Sequence, residues 1–429
     1  MRSTPPWSRG LRFAADLAAL AGGAGAAQAV TLASTLWITR LYAPEDVGPA
    51  SLFLSLVALF SSVAALRFDK AIVLPAESAQ AGQLIRLSLI AASVACGGLA
   101  IAVALASPWL SGWGTLAPLG GWIYALPVVV WLATTAKVAG EHQTRQRAFG
   151  RLGASRVVGS TTMAVARIGS GLAVGGSAGG YLLGGLLSWV TQLAVLTGVP
   201  DPRRLTGSLD VAALRSTART YQDFPRFSVP TTFLNRLSDQ LPILMLSGLY
   251  APEVVGLYAL TQRALRSPLD MVSEALRRVV HQRSAACWNA GEPLAPLIAR
   301  VTLGIGGVAL VPLLGIALWG SALFGWAFGD EWARAGDFAA ALVPWMLTDL
   351  LIGPANAVFF VTRHLRTWLL LEVFSTLSRL AVFGLAWWLA WDVLETLVVF
   401  AWWCVTVHAV IIAWGLALAR QTAASSGDA

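Results

Sequence analysis

Twelve runs of apolar residues, each about as long as a bilayer is thick, limit what this chain can fold into. A membrane-spanning helix needs roughly 20 apolar residues to cross the hydrocarbon core. Hydrophobic residues make up 56% of the chain and charged residues only 12%, which is typical of an integral membrane protein. We therefore predict an all-α polytopic membrane protein with twelve transmembrane helices, at residues 15–39, 49–66, 86–107, 116–138, 153–174, 177–199, 226–249, 254–280, 294–319, 337–361, 366–391 and 394–419.

A repeated motif indicates that the chain contains two related halves. Residues 41–48 read LYAPEDVG and residues 249–256 read LYAPEVVG, so seven of eight residues agree at an offset of 208. The offset superposes predicted helices 1 and 2 on predicted helices 7 and 8. Since six helices separate the copies, both halves point the same way across the membrane and form parallel repeats. We predict two six-helix lobes, residues 1–205 and 206–429, of the kind that membrane transporters use.

The distribution of basic residues predicts the orientation in the membrane. If the N-terminus is cytoplasmic, 23 of the 30 Arg and Lys residues lie in inner segments. Only Arg40 and Arg334 then lie in outer loops. Cytoplasmic segments are enriched in Lys and Arg, so we predict that both termini are cytoplasmic. The net charge of +8 follows from this distribution and does not indicate a nucleic-acid partner.

Ten charged residues fall inside the predicted helices. An arginine at the bilayer centre costs roughly 3 kcal/mol even on the most lenient scale, so these side chains should face a protein interior or a wet cavity. Charged residues placed there usually mark a pathway for a substrate or an ion. The ten are Arg167, Arg236, Arg263, Arg266, Arg379, Asp239, Asp270, Glu274, Asp349 and Glu372.

Predicted helices 7 and 8 carry most of these charges. Helix 8 has a charged stripe with steps of 3, 4, 4 and 3 residues, interrupted by Pro268, and helix 7 brings Arg236 and Asp239 to a similar depth. The corresponding positions of the first half lack the stripe. Two readings remain open: the charges line a path for an anionic ligand, which guanidinium groups bind well, or they pair with one another as internal contacts. The stripe consists of Arg263, Arg266, Asp270, Glu274 and Arg277.

Three segments resemble a known family. RLYAPEDVG at 40–48 followed by LRFDKAIVLP at 66–75, with VGLYALTQRALRSP at 255–268, is similar to the polysaccharide-biosynthesis, or oligosaccharide, flippases. These belong to the multidrug/oligosaccharidyl-lipid/polysaccharide exporter (MOP) superfamily. The resemblance implies a MATE-like fold of two six-helix lobes around a central cavity. It also implies a transporter rather than an enzyme.

The resemblance further implies a function and a set of site residues. Such a flippase moves polyprenyl-diphosphate-linked oligosaccharide repeat units across the bacterial inner membrane by alternating access, for O-antigen, capsule or exopolysaccharide assembly. We expect no cofactor or metal, coupling to Na⁺ or H⁺, a monomer among membrane lipids, and a polysaccharide polymerase and chain-length proteins as partners. The expected ligands of the diphosphate or of acidic sugars are Arg236, Arg263, Arg266, Arg379 and Arg167, with charge balance or ion coupling by Asp239, Asp270, Glu274, Asp349 and Glu372.

Three alternatives stay open at this point. A cation-coupled multidrug exporter shares the fold, but acids should then outnumber bases inside the lobes, whereas here five arginines meet five acids. A lipid II flippase would suit the arginines, although those proteins usually have two more helices. A membrane glycosyltransferase or polymerase would need a sizeable outer domain or a carboxylate motif on a loop, and the predicted outer loops are short.

Overall fold

A computed structural model describes the backbone of residues 6–110, 117–198, 210–266, 269, 273, 280–284, 286–288, 290, 292–362 and 364–425. Side chains are described for the same residues, apart from 6–20, 107–110, 117–118, 365 and 421–425. Within these ranges every regular element is a helix.

The helices follow one another with short connections. Helices α1 to α9 are Pro6–Ile38, Pro44–Ser61, Phe68–Ala71, Ser78–Leu110, Leu126–Arg145, Phe149–Val174, Ala178–Thr197, Val211–Thr220 and Val229–Leu249. Helices α10 to α14 are Pro252–Thr261, Leu294–Phe328, Ala333–Val361, Leu365–Leu389 and Val393–Ser425. The described chain also contains 3₁₀ segments at Ala117–Ala125 and Asp330–Trp332, and π-helical segments at Phe224–Ser228 and Gln262–Arg266.

All twelve predicted spans overlap helices of the structure. Eight of the described helical stretches are long and apolar enough by themselves to cross a membrane. Helix α9, which covers predicted helix 7, is not among them; it carries Arg236, Asp239 and two prolines, which lower its hydropathy. The prediction of an all-α polytopic membrane protein with a MATE-like fold is confirmed.

The chain divides into two compact units, Met1–Val255 and Gly256–Ala429. Helix α9 belongs to the first unit because it packs against α2. The sequence repeat instead puts a boundary at residue 205, before α9. The unit boundary reflects packing, whereas the repeat boundary reflects sequence similarity, so the two predicted lobes stay a prediction.

In the first unit, close helix pairs surround the buried residues. Helix α6 packs against α1 and α7, and α4 packs against α5. Gly23 of α1 and Gly153 of α6 lie so close that a Cβ on Gly23 would clash with the Gly153 backbone. Small residues permit this approach, which is how membrane helices gain van der Waals contact without a hydrophobic driving force.

In the second unit, α11 and α12 form the closest pair. Gly320 and Gly336 face each other there, and a Cβ on either would meet the backbone of the other helix. Helix α14 packs against α11, α12 and α13. Its buried aromatic contacts include the Phe400 ring, whose centroid lies 5.3 Å from those of both Trp345 and Phe383. The helices α12, α13 and α14 therefore share one interior.

Both π-helical segments adjoin positively charged positions. Phe224–Ser228 directly precedes α9, and Gln262–Arg266 directly follows α10. In a π turn the backbone bonds run from i to i+5, so side chains do not keep the α-helical spacing, and such turns often occur at functional sites. The charged stripe of predicted helix 8 assumed a regular α-helix through Arg263 and Arg266. Pro268, where the sequence predicts a kink, lies outside the described residues.

Candidate functional site

Four basic side chains form an electrostatic cluster in the first unit. We call Arg67, Lys70, Lys137 and Arg236 the basic cluster. They come from three parts of the chain: the segment between α2 and α4, helix α5, and helix α9. Among the charged neighbours of Lys137, Arg236 acts on it most strongly, and Arg67 and Lys70 also contribute. Four positive charges are thus close enough to influence one another.

The backbone around Arg67 is in an unusual conformation. Leu66 has φ 50° and Arg67 has φ 62°, in the left-handed region that residues with a Cβ rarely adopt. Such conformations persist only when the surroundings enforce them, and they occur often at functional sites. Here Phe68, Ala71 and Ile72 are buried directly after the turn and fix the segment on the core. The turn positions the Arg67 side chain, whose Nε donates to Ser228 Oγ at 3.3 Å.

Arg145 fixes the other end of the same segment. Its guanidinium donates to the backbone carbonyls of Ile72 at 3.2 Å and Ala76 at 3.3 Å, and also to the carbonyl of Pro75. One planar side chain therefore satisfies carbonyls that lie outside any helix. The segment from Arg67 to Ala76 is held at both ends, and its charged residues keep fixed positions relative to α5.

Carboxylates accompany the basic cluster. Lys70 forms an ion pair with Glu141 on α5. Asp69 is 7% exposed and lies outside the predicted spans. Burial raises the pKa of its carboxyl, while the charges of Arg67 and Lys70 act in the opposite direction. Ionised Asp69 is consequently disfavoured, which leaves the positive charge of the cluster less well balanced than the residue count suggests.

Lys137 and Arg236 are the members of the cluster that present their charges most openly. Lys137 lies on α5, and its Nζ donates to Ser61 Oγ at 2.9 Å. Arg236 has a side chain that is 53% exposed, with Nη1 3.4 Å from Asp239 Oδ2. An exposed ion pair one helical turn apart contributes only a few tenths of a kcal/mol, so Asp239 does not tie Arg236 down. Arg236 is free to exchange this partner for an anionic ligand.

In the second unit, two predicted site residues line one pocket. Arg266 lies in the π segment with its Cζ 5.6 Å from the centroid of the Trp345 ring, within reach of a cation–π contact. Asp349 lies one turn after Trp345 on α12. The indole Nε1 of Trp345 is buried and has no hydrogen-bond partner among the described groups. The pocket is lined by Arg266, Leu269, Ser273, Trp345, Met346, Asp349 and Leu350.

Arg379 contacts a histidine that the sequence analysis did not select. Its Nη2 lies 3.2 Å from His408 Nε2, and His408 Nδ1 lies 3.1 Å from Thr348 Oγ1. Asp349 also acts electrostatically on His408. The contact connects α12, α13 and α14, so Arg379 and Asp349 are brought to the same interior.

Arg167 has a different environment from the other predicted ligands. It is 2% exposed, its Nε donates to the Tyr181 carbonyl at 3.0 Å, and its Cζ lies 3.6 Å from the Tyr181 ring centroid. Tyr42 Oη donates to the Arg167 carbonyl at 2.8 Å or shares its proton with Ser170. The guanidinium is enclosed by protein, so a ligand cannot contact it in this conformation.

The remaining predicted site residues lie apart from these groups or outside the description. Arg263 is half-buried in the π segment, and Glu372 is half-buried on α13, where its carbonyl accepts from Thr376 Oγ1 at 2.9 Å. Asp270, Glu274 and Arg277 lie outside the described residues.

Sequence reasoning missed Arg67, Lys70 and Lys137 because it counted them only as charges of inner segments. The available signal was that Arg67 and Lys70 lie in the segment that carries the family resemblance. His408 was also missed, although it is one of only four histidines and lies in a long apolar run.

The fold is that of the MOP transporters. It is similar to an inward-facing multidrug resistance MATE family transporter of the MOP superfamily, with TM-score 0.69, 15% identity, and coverage of 94% of this chain and 96% of that one. It is also similar to the lipid II flippase MurJ in an inward closed conformation, with TM-score 0.71, 7% identity, and coverage of 90% and 85%. The eukaryotic MATE transporter AtDTX14 matches with TM-score 0.50, 16% identity, and coverage of 97% and 98%.

The sequence identifies the family within this fold. Residues 37–337, well over half of the chain, match the model of a family described as polysaccharide biosynthesis protein. The chain therefore belongs to this polysaccharide biosynthesis family, as its sequence predicted. Among individual curated proteins, none matches the chain.

Proposed function

We propose that this protein is a flippase that moves polyprenyl-diphosphate-linked oligosaccharide repeat units across the bacterial inner membrane by alternating access. The products would serve the assembly of O-antigen, capsule or exopolysaccharide. The observation that carries the proposal is the basic cluster, which gathers Arg67, Lys70, Lys137 and Arg236 in a member of a polysaccharide biosynthesis family. Family and fold limit the function to this area, and the charge of the cluster favours an anionic substrate.

The chemistry of the cluster suits a diphosphate. Two like charges 4 Å apart repel each other by roughly 4 kcal/mol at the effective dielectric constant near a protein surface, so a shared anion stabilises them. Guanidinium binds phosphate oxygens through two parallel hydrogen bonds, and ammonium adds a point charge. Arg67 and Arg236 would thus grip the phosphates, while Lys137 between them adds charge. The apolar helices around them suit the polyprenyl chain.

The second unit contributes a separate set of polar groups to the proposal. Arg266 and Asp349 line a pocket with the buried indole of Trp345, whose N–H would donate to an oxygen of a sugar or phosphate. We assign Arg263 and Arg379 to the same anionic path. For Asp239, Asp270, Glu274, Asp349 and Glu372 we keep the role of charge balance between transport cycles. Arg167 is better explained as a packing residue, given its enclosure against Tyr181.

Cytoplasmic termini, the two lobes 1–205 and 206–429, coupling to a cation, and cooperation with a polymerase and chain-length proteins belong to the same proposal. They follow from the distribution of basic residues, from the repeat and from the family.

A variant of Arg236 tests the proposal in cells. In a strain that lacks the gene, Arg236→Ala is expected to abolish surface polysaccharide, because the most open cation of the cluster is lost, while the protein remains in the membrane. Arg366→Ala removes an exposed inner arginine outside the cluster and should restore polysaccharide fully. Surface polysaccharide is measured by gel and membrane protein by immunoblot. Wild-type polysaccharide with Arg236→Ala would reduce Arg236 and Asp239 to an internal pair.

A further inference from the structure

A histidine in the interior of the second unit is bound on both sides of its ring. His408 lies in the middle of α14 and is 2% exposed. Its Nε2 is 3.2 Å from Arg379 Nη2 on α13, and its Nδ1 is 3.1 Å from Thr348 Oγ1 on α12. Both ring nitrogens therefore have partners, and the nature of those partners determines where the ring protons lie.

The partners assign a neutral ring with its proton on Nδ1. A guanidinium has only donors, so Nε2 must accept from Arg379 and carries no proton. Thr348 Oγ1 lies 3.0 Å from the Trp345 carbonyl and 3.2 Å from the Pro344 carbonyl, so its single proton is directed there. Its lone pair accepts from His408 Nδ1. The tautomer follows from this network of donors and acceptors.

The charged groups around His408 come from each neighbouring helix. Helix α12 contributes Asp349, α13 contributes Arg379, and α14 itself contributes Cys404 one turn before His408. Helix α11, which also packs on α14, has a single ionisable side chain, Arg300, near its start. Asp349 favours positive charge on the ring and Arg379 opposes it. The balance between proton and guanidinium is thus set by two residues.

A proton on Nε2 is incompatible with the contact to Arg379. The ring would then offer a donor to a donor, and two positive charges would meet at hydrogen-bond distance. We propose that His408 is a proton-binding site at which a proton and Arg379 compete for Nε2. When one proton binds the Nε2 lone pair, Nδ1–H stays on Thr348 and Arg379 leaves the ring.

This competition has a consequence that rests on the proposed function. Arg379 is one of the expected ligands of the anionic substrate, so proton uptake by His408 releases Arg379 for that substrate. Conversely, an anion that draws Arg379 away opens Nε2 to a proton. Proton and substrate then favour each other's binding, and the coupling ion of the transporter is H⁺ rather than Na⁺.

The first test needs no substrate. The full-length protein with His142, His281 and His364 replaced by Gln keeps His408 as its single histidine, and ¹⁵N NMR in nanodiscs reports its tautomer. We expect a neutral ring with the proton on Nδ1 at neutral pH and a second proton at Nε2 on acidification. In the Arg379→Gln variant, the second proton should bind at higher pH by about one unit, since a like charge is removed. A ring that carries its proton on Nε2 at neutral pH, or a transition that Arg379→Gln leaves unchanged, would overturn the proposal.

The second test separates this inference from the proposed function. Proteoliposomes with a pH-sensitive dye inside receive lipid-linked oligosaccharide, with Arg366→Ala as the matched control. Wild type and control should take up protons while the lipid moves, whereas His408→Gln should move it without a proton signal. If the NMR result holds and no lipid moves, the proton site stands and the flippase fails. If lipid moves with an equal proton signal in His408→Gln, the flippase stands and the proton site fails.

Discussion

Arg67 combines a strained backbone with a functional charge. Its φ of 62° is one that glycine adopts without cost, whereas a residue with a Cβ loses roughly 1 kcal/mol. A sequence that keeps arginine at such a position gives up stability, and stability is commonly given up where function requires it. The strain and the charge can be separated by substitution, because glycine removes both and alanine removes only the charge.

We therefore expect Arg67→Gly and Arg67→Ala to bind polyprenyl diphosphate equally weakly, at about one tenth of the wild-type affinity, since each loses a charge-assisted hydrogen bond. In thermal unfolding in detergent, Arg67→Gly should be the more stable of the two by about 1 kcal/mol. Equal stability of the two variants would mean that the left-handed turn is not strained. Equal binding by wild type and both variants would remove Arg67 from the site.

Asp69 gives the cluster a dependence on pH. Burial raises the pKa of its carboxyl in the folded protein above the model value of 3.8. The folded state thus favours the protonated acid, and its stability falls as pH rises from 3.8 through the raised folded pKa. Above that window the cost is constant.

Asp69→Asn should remove this loss. At neutral pH the variant is expected to unfold at the same or a higher temperature than wild type, and below about pH 4 the two should converge because Asp69 is then protonated in both states. Unfolding followed by tryptophan fluorescence across this pH range measures the difference. A variant that is less stable at neutral pH would indicate that ionised Asp69 stabilises the fold through Arg67 and Lys70.

Helices α11 and α12 pack at a distance that only glycine permits. Gly320→Ala should destabilise the protein by about 1–3 kcal/mol, because the new methyl group meets the Gly336 backbone. Gly315→Ala on the same helix is the matched control, since a Cβ there meets nothing within 4 Å. Alanine is the better helix former, so the control should be unchanged or slightly stabilised in thermal unfolding. Equal unfolding temperatures for the two variants would contradict the close approach.

The sequence could predict the helices but not the contacts of their charges. Apolar length and the repeated hairpin predicted twelve spans that all overlap helices of the structure. Hydropathy reports that Arg236 and Arg379 are costly in a membrane, but it contains no information on their partners, Asp239 and His408. The left-handed Arg67 is equally hidden, since the turn is enforced by burial of Phe68 and Ile72 and not by a glycine.

At the scale of the whole molecule, the two units carry different chemistry on a duplicated scaffold. The first unit contributes an open cluster of four cations, and the second contributes Arg266, Asp349, Trp345 and the Arg379–His408 contact. The charged stripe of predicted helix 8 is missing from the first half, so duplication preserved the helices and not the site. A transporter of this fold needs only that both sets of groups meet the substrate in turn.

The rate at which the protein moves its lipid across a membrane tests the central claim most directly. Lipid-linked oligosaccharide is extracted from the deletion strain and reconstituted with purified protein in liposomes. Its appearance in the opposite leaflet is followed by reaction with periodate outside. Wild-type protein should expose the inner pool at least tenfold faster than liposomes without protein, and Arg236→Ala should remain near that baseline. A wild-type rate equal to that of protein-free liposomes would contradict the account.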